Sequence, residues 1–543
     1  MFLMFFFLSV FILLSVRLFY LQSGEDPALA VMASGQHVTE LKETEERAGI
    51  YDRNGMEITG GETYLCYYTE EEKIRKQGTG MLERYGCEEI SSSRDGYCVW
   101  SGDDNDSQKI SITAKYGCTA VTCRKRYSDN QKAVHLIGYT GISEEDGEET
   151  GICGLEKMFD ERLRKGAEEK YLYRDAAGKY LGGNILSDRE IREQFRITVD
   201  LGIQEEAEKI LDETGNPGGI IVCSIDSGEI LAYASYPAYN PNDVASSLDS
   251  SFSELTDRLS GASYPPGSVF KLVVAAAAME AGIAQEDTIF DCSGSIQVGG
   301  TVVRCSTGGK TGHGEITLRE ALENSCNCAF IELGIKTGGE RILDMAEKMG
   351  LGRDVCPQIS EVTGNLPSDA AECGIANLSI GQGTLLVTPL QITAMMRGIA
   401  GGGVFSQLRV LTGDTQKDLE KYGVMPEGVL RETTGENRRI LSKSTASSLL
   451  SMMGGVTDQG TAAGIQKYTD AAAGGKTGSA QSSMSGRNVV HGWFSGFYPQ
   501  NDPEYVITVF MEDSGGSSVC IPAAGKMIDW LSRNVAAGEE RIN

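Results

Sequence analysis

The chain has 543 residues, 41% of them hydrophobic and 23% charged, enough for two or three domains with a large core. Its formal charge of −27 excludes a nucleic-acid footprint and disfavours anionic lipid surfaces, because no basic run could track phosphates. Fourteen cysteines are scattered, with no CxxC among them, and the four histidines lie far apart. No metal site is expected from that spacing. Cys292 with Cys305, or Cys87 with Cys98, would close modest disulfide loops, and buried free thiols are the equal alternative.

In chain order, residues 1–16 are almost wholly apolar, and Leu18 to Leu21 carry the run past Arg17. About 21 helical residues span roughly 31 Å, close to a bilayer core, so residues 1–22 are read as a transmembrane anchor. A cleaved signal peptide ending near Ala28-Leu29-Ala30 is the other reading; the polar stretch from Gln22 to Pro27 fits it poorly. No Lys or Arg precedes the run to set its orientation. Residues 23–200 are polar and Gly-rich, strand-like only in patches such as Ile110 to Thr113, and carry no catalytic constellation.

From Gly218 the texture changes. Residues 220–225 and 229–235 are apolar strands joined by Asp226-Ser-Gly228, a hairpin signature. An Ala-rich buried helix follows from Ser268 to Ala281, then helical segments over 317–324 and 327–336. Strands at 475–481, 492–498 and 505–511 and a helix over 523–535 close the chain. Strands at both ends with helices between predict an α+β arrangement, an antiparallel sheet completed by chain-distant strands.

Three motifs within this region carry chemistry. Ser268-Val-Phe-Lys271 follows Pro265-Pro-Gly267, which places Ser268 at a helix N-terminus. Lys271, three residues on, shares its face. Embedded in Ala and Val it is partly desolvated, which favours a neutral, base-competent amine. Taken alone, Ser268 would be an N-cap and Lys271 a surface residue. Ser325-Cys-Asn327 lies between two helical segments, where Ser325 would relay a proton and Asn327 bind a substrate amide; alone, it would be a capping pair. Lys-Thr-Gly occurs at Lys310, Lys336 and Lys476, and only Lys476-Thr477-Gly478 runs into a strand, Ser479-Ala-Gln481. There Lys476 and Thr477 would face a substrate carboxylate, and the Ser268 and Ser479 N–H groups would form an oxyanion hole. The three motifs together describe a serine acyl-transfer site with a lysine base.

The ordered set resembles the class B penicillin-binding proteins, membrane-anchored peptidoglycan D,D-transpeptidases, over nearly the whole chain. Arg47 to Gly55, Gly151 to Glu156, Thr198 to Gln204, Tyr264 to Ser268, Ser379 to Gly383 with Thr388 to Gln391, and His491 to Phe494 all have counterparts in this order. The resemblance implies a transpeptidase domain of the serine β-lactamase-like type over 201–543, with an antiparallel sheet flanked by helices. Residues 23–200 would form an extended mixed pedestal above the anchor at 1–22. It implies Ser268, Lys271, Ser325, Asn327 and Lys476 as catalytic residues, with Thr477, Gly478 and Ser479 binding substrate. Expected partners are stem peptides ending in D-Ala-D-Ala, β-lactams that trap Ser268 and, by analogy, a SEDS-type glycosyltransferase. No cofactor is implied, and the site would be extracytoplasmic. A serine β-lactamase is one rival, for which Glu361 to Asn365 superficially supplies a deacylating base; a non-catalytic activator of a glycosyltransferase is another.

Overall fold

The computed structural model describes residues 2–23, 38–40, 47–70, 88–92, 97–102, 119–143, 149–166, 170–174, 180–185, 191, 193–248, 250, 253–307, 311–426, 429, 437–484 and 486–535. The strand patch expected at Ile110 to Thr113, together with Cys87 and Lys310, lies outside them. The segment expected as an anchor falls on a helix, Phe2–Ser23. Side chains there are described only for Met4 and residues 6–15, and among the described residues no helix is long and apolar enough to cross a membrane.

The chain forms two compact units. The smaller gathers residues 1–48, 61–126 and 165–192. It holds a four-stranded antiparallel sheet in the order Glu88–Ser92, Tyr97–Gly102, Thr63–Glu70, Thr119–Arg124. A three-stranded sheet places Lys170–Arg174 between Val38–Glu40 and Tyr180–Ile185.

The larger unit takes residues 49–60, 127–164 and 193–543. Its first long helix, α1 (Leu201–Thr214), starts at Asp200, whose carboxylate accepts from the Gly202 and Ile203 N–H groups. Strands β1 (Gly218–Ser224) and β2 (Ile230–Tyr236) form the expected hairpin. A 3₁₀ turn, Gly267–Phe270, leads into α2 (Lys271–Glu280), buried from Lys271 to Met279 as a helix apolar all round must be. Four short strands follow: β3 (Ile289–Cys292), β4 (Ser295–Val298), β5 (Thr301–Arg304) and β6 (Gly314–Thr317). β3 pairs with β6 and β4 with β5, as two separate ribbons.

Helix α3 (Leu318–Glu323) is opened by a capping box between Thr317 and Glu320, and α4 (Asn327–Thr337) begins at Cys326. A second capping box, Thr388 with Gln391, starts α5 (Pro389–Ala400), every residue of which is buried. Strands β7 (Gly474–Met484), β8 (Arg487–Tyr498) and β9 (Tyr505–Met511) and helix α6 (Cys520–Asn534) complete the unit. The sheet runs β2-β1-β9-β8-β7, antiparallel throughout, so chain-distant strands meet at β1 and β9 with Ile220 opposite Val509. Residues 218–223 are all buried because α1 and α6, together with α5, cover the sheet. This is the α+β arrangement the strand and helix pattern predicts.

Candidate active site

Ser268 sits on the 3₁₀ turn just ahead of α2, and Lys271 is the first residue of that helix. The turn is held from two sides. Gly267 N–H donates to the Gly381 carbonyl at 2.9 Å, and Trp493 Nε1 donates to the Pro265 carbonyl at 3.0 Å. Strand β7 passes directly beside it: a Cβ on Gly478 would lie 3.0 Å from both the Pro266 carbonyl oxygen and Val269 Cγ2. Glycine therefore suits this position, where a side chain would crowd the Pro266 backbone and the Val269 side chain.

Ser325 occupies the link between α3 and α4 with φ of 54°, a left-handed conformation uncommon for serine. The strained link turns its hydroxyl into a buried junction. Lys271 Nζ donates to the Ser325 carbonyl at 2.7 Å, to Ser325 Oγ at 3.1 Å and to Asn327 Oδ1 at 2.8 Å. Lys476 Nζ reaches the same Ser325 Oγ at 3.2 Å and its neighbour's carbonyl, on Thr477, at 3.0 Å. One hydroxyl is thus shared by two fully buried lysines. Burial pulls Lys271 down to about 7, with the sulfurs of Cys326, Cys305 and Cys328 opposing the shift. Burial likewise holds Lys476 well below the usual lysine range, and the charge of Lys271 pushes it further. Two ammonium groups in so dry a place repel, so the junction favours at least one neutral amine.

Asn327 is engaged at both ends, its Nδ2 donating to the Arg304 carbonyl at 3.1 Å. Thr477 Oγ1 and Thr461 Oγ1 are 2.7 Å apart. Ser479 Oγ accepts from the Ser517 N–H at 3.1 Å. A cleft of about 550 Å³ opens here, lined among others by Ser268, Ser325, Asn327, Thr461, Thr477 and Ser479. The sequence-predicted residues thus converge: Ser268, Ser325, Asn327, Thr477 and Ser479 border the cleft, Gly478 packs against the serine turn, and Lys271 and Lys476 lie buried behind Ser325. Lys271 points to Ser325 and Asn327; among the described residues no hydrogen bond joins it to Ser268.

A family model for the penicillin binding protein transpeptidase domain matches residues 218–529. The chain belongs to that family. Relatives of the class B kind extend the likeness. Stage V sporulation protein D of Bacillus subtilis is 25% identical over 97% of this chain and 84% of its own. The peptidoglycan D,D-transpeptidase PbpA of Mycolicibacterium smegmatis is 30% identical over 70% of this chain and 76% of its own. Among solved structures, the penicillin-binding protein PBP2 of Helicobacter pylori, in its complex with MreC, superposes with a TM-score of 0.73 at 24% identity, over 91% of this chain and 98% of that one. A chain of a peptidoglycan synthase complex gives 0.72 at 24% identity, over 97% of each chain. These structural likenesses bear out the transpeptidase fold.

The other Lys-Thr-Gly motif within the described residues is structural. Lys336 lies in the last turn of α4, paired with Glu332 at 2.6 Å, before Gly338 ends the helix. Glu361, the candidate base of a β-lactamase, does not line the cleft. Its carboxyl accepts from Thr388 Oγ1 at 2.6 Å and from the Val355 N–H at 3.0 Å, and burial raises it to about 8. Sequence reasoning missed Thr461, Gln382 and Ser517 at the cleft. Gln382 stands inside the quoted Ser379 to Gly383 motif, whereas Thr461 and Ser517 carry no local signal. It also missed a convergence of thiols. Cys292 and Cys305, weighed as a disulfide pair, are both free, and their sulfurs meet those of Cys326 and a ring nitrogen of His313.

Proposed function

We propose that this chain is a peptidoglycan D,D-transpeptidase acting through a Ser268 acyl-enzyme. The observation that carries the reading is the Ser325 hydroxyl shared by Lys271 and Lys476 at the wall of the cleft that Ser268 lines. Ser268 Oγ attacks the penultimate D-Ala carbonyl of a stem peptide, and Lys271, one turn along, takes its proton. The N–H groups of Ser268 and Ser479 hold the oxyanion while Lys476, Thr477 and Gly478 hold the terminal carboxylate region. Ser325 relays the proton to the departing D-Ala amine, Asn327 orders Lys271 and the substrate amide, and the amine of a second stem then displaces Ser268 to form the cross-link. β-Lactams trap the same serine. Glu361 is tied up with Thr388 and Val355, and among the described residues lining the cleft there is no carboxylate base to clear that adduct.

Residues 1–22 serve as a single-pass anchor and residues 23–200 as the pedestal; of the latter, 49–60, 127–164 and 193–200 belong to the compact unit that carries the site. The transpeptidase domain, 201–543, works outside the cytoplasmic membrane. A SEDS-type glycosyltransferase is the expected partner. Its support is the likeness to a chain of a complex described as coordinating polymerization and crosslinking, and to a PBP2 bound to MreC. Incubating the full chain with a penicillin and following intact mass over hours tests the enzymatic reading. A long-lived adduct, absent from Ser268→Ala, is expected; rapid loss of the adduct with drug turnover indicates a β-lactamase, and no adduct a scaffold.

A further inference from the structure

The cleft that Ser268 lines has an unexpected charge for so acidic a molecule. The chain carries −27 overall, yet among the described residues lining the cleft there is no Asp or Glu, and the one charged residue is Arg304. Arg304 is exposed. Among the described residues its carbonyl has a partner, whereas its guanidinium has neither a hydrogen bond nor an ion pair. Other exposed arginines of the same unit are tied down: Arg353 pairs with Glu347, Arg409 with Glu229 and Arg533 with Asp529. An unpaired cation in a cleft free of carboxylates is suited to an anion brought by the substrate.

The backbone beneath this side chain is fixed. Arg304 closes β5 and pairs with Ser295 on β4, so its cross-strand neighbour is neutral. Its carbonyl accepts from Asn327 Nδ2 at 3.1 Å. The next residue, Cys305, donates its N–H to the Gly294 carbonyl at 2.8 Å. Strand alternation puts Arg304 on the same face of the ribbon as Val302, which is 59% exposed. The guanidinium thus works from a rigid base beside Asn327.

That place has a meaning in the transpeptidase reading, on which this inference rests. Lys476 and Thr477 take the terminal carboxylate of the stem. Asn327 takes the amide that joins the penultimate D-Ala to the residue before it. The preceding residue therefore leaves the cleft at Asn327, next to Arg304, and a carboxylate on it would meet the guanidinium. Arginine suits that role because its planar fork can hold both carboxylate oxygens, with no acidic residue of the cleft competing.

We propose that Arg304 is a specificity-determining residue that selects acyl donors bearing a carboxylate on the residue preceding D-Ala-D-Ala. In a penicillin the 6-acylamino group stands for that residue, so the same preference extends to penicillins with an anionic acyl side chain.

The test compares acylation rates of the full chain, by intact mass against time, with three penicillins. They are benzylpenicillin, its analogue with a carboxylate on the α-carbon of the acyl side chain, and the matching α-carboxamide, which keeps the bulk and removes the charge. The carboxylate compound should acylate about fivefold faster than the carboxamide, the size of a partly exposed ion pair. Raising ionic strength from about 0.05 to 0.5 M should shrink that ratio. Arg304→Gln, which retains the backbone carbonyl that holds Asn327, should bring the ratio to about one, and Arg304→Glu should invert it. Benzylpenicillin should acylate Arg304→Gln at the wild-type rate. A wild-type ratio near one overturns the proposal, as does a ratio that survives in Arg304→Gln. An equal loss of rate with all three compounds in Arg304→Gln also overturns it, since Arg304 would then only support the site. An adduct without charge preference sinks this inference alone; no adduct with any compound sinks the transpeptidase reading and this inference with it.

Discussion

At the scale of single residues, the site is governed by amines kept out of water. Lys271 has its folded pKa lowered by burial from an ordinary 10.5 to about 7. Above pH 7 the neutral amine therefore predominates, and acylation by a penicillin should rise with pH and level off beyond about 7. A stopped-flow pH profile checks this, and Lys271→Ala should abolish acylation while leaving the far-UV circular dichroism unchanged. The same shift opposes folding. An unfolded chain binds the Lys271 proton below 10.5 and the folded one only below about 7, so this group removes stability progressively as pH falls between those values. Glu361 has the opposite sign. Its folded pKa is raised to about 8 from 4.5, so it keeps a proton that the unfolded chain releases, and it costs stability as pH rises through that window. Glu361→Gln, which can still accept from the Val355 N–H and donate to Thr388, should flatten the denaturant midpoint between pH 5 and 8. An unchanged slope in that variant would count against the buried, protonated carboxyl.

At the scale of elements, the proposed acylation depends on a turn with little strength of its own. The 3₁₀ turn bearing Ser268 has the Gly381 carbonyl as a partner, and Gly381 has φ of 70°. A Cβ there would stand 2.1 Å from the Gly267 carbonyl oxygen and 2.8 Å from Phe270 Cβ. Neither neighbour is a flexible tip. Gly381→Ala should therefore displace the serine turn, cost about 1–3 kcal/mol in urea denaturation and lower acylation more than it lowers stability. Wild-type acylation in that variant would show the turn to be held by other contacts. Strand β7 acts from the other side, with Lys476 paired to Ser495 and Gly478 to Trp493, so the register of β7 on β8 sets which residues face the cleft.

At the scale of the molecule, buried charge joins segments far apart in sequence. Arg162 Nε and Nη2 donate to Asp418 Oδ2 at 3.0 and 2.8 Å, and Nη2 also donates to the Glu193 carbonyl at 2.7 Å. Removing one partner leaves an uncompensated buried charge. Arg162→Ala should cost about 3–5 kcal/mol, whereas the paired Arg162→Met with Asp418→Leu should cost far less, read by urea denaturation of both variants. Segments 49–60 likewise fold onto the larger unit through Asp52, which accepts from the Leu201 N–H at 3.3 Å, and through Arg53 with Glu229 at 3.2 Å. That placement follows from long-range pairing and could not be read from the polar texture of residues 23–200.

Much of the site was legible in the chain because its chemistry is written locally. A serine and lysine three residues apart share a helical face whatever surrounds them. A proline-glycine entry announces a turn, and apolar runs separated by Asp-Ser-Gly announce a hairpin. Local rules of this kind located α2, β1, β2 and the final three strands to within a few residues. What tertiary structure alone decided were contacts between elements distant in sequence. Ser325 reaches both Lys271 and Lys476 only because α2 and β7, far apart in sequence, both lie beside the α3–α4 link. Thr461 enters the cleft by touching Thr477. Three thiols and His313, unrelated by any spacing rule, meet because two ribbons fold toward the start of α4. Backbone periodicity is fixed by nearest neighbours, whereas convergence of side chains depends on packing across the whole unit, and only the folded chain supplies that.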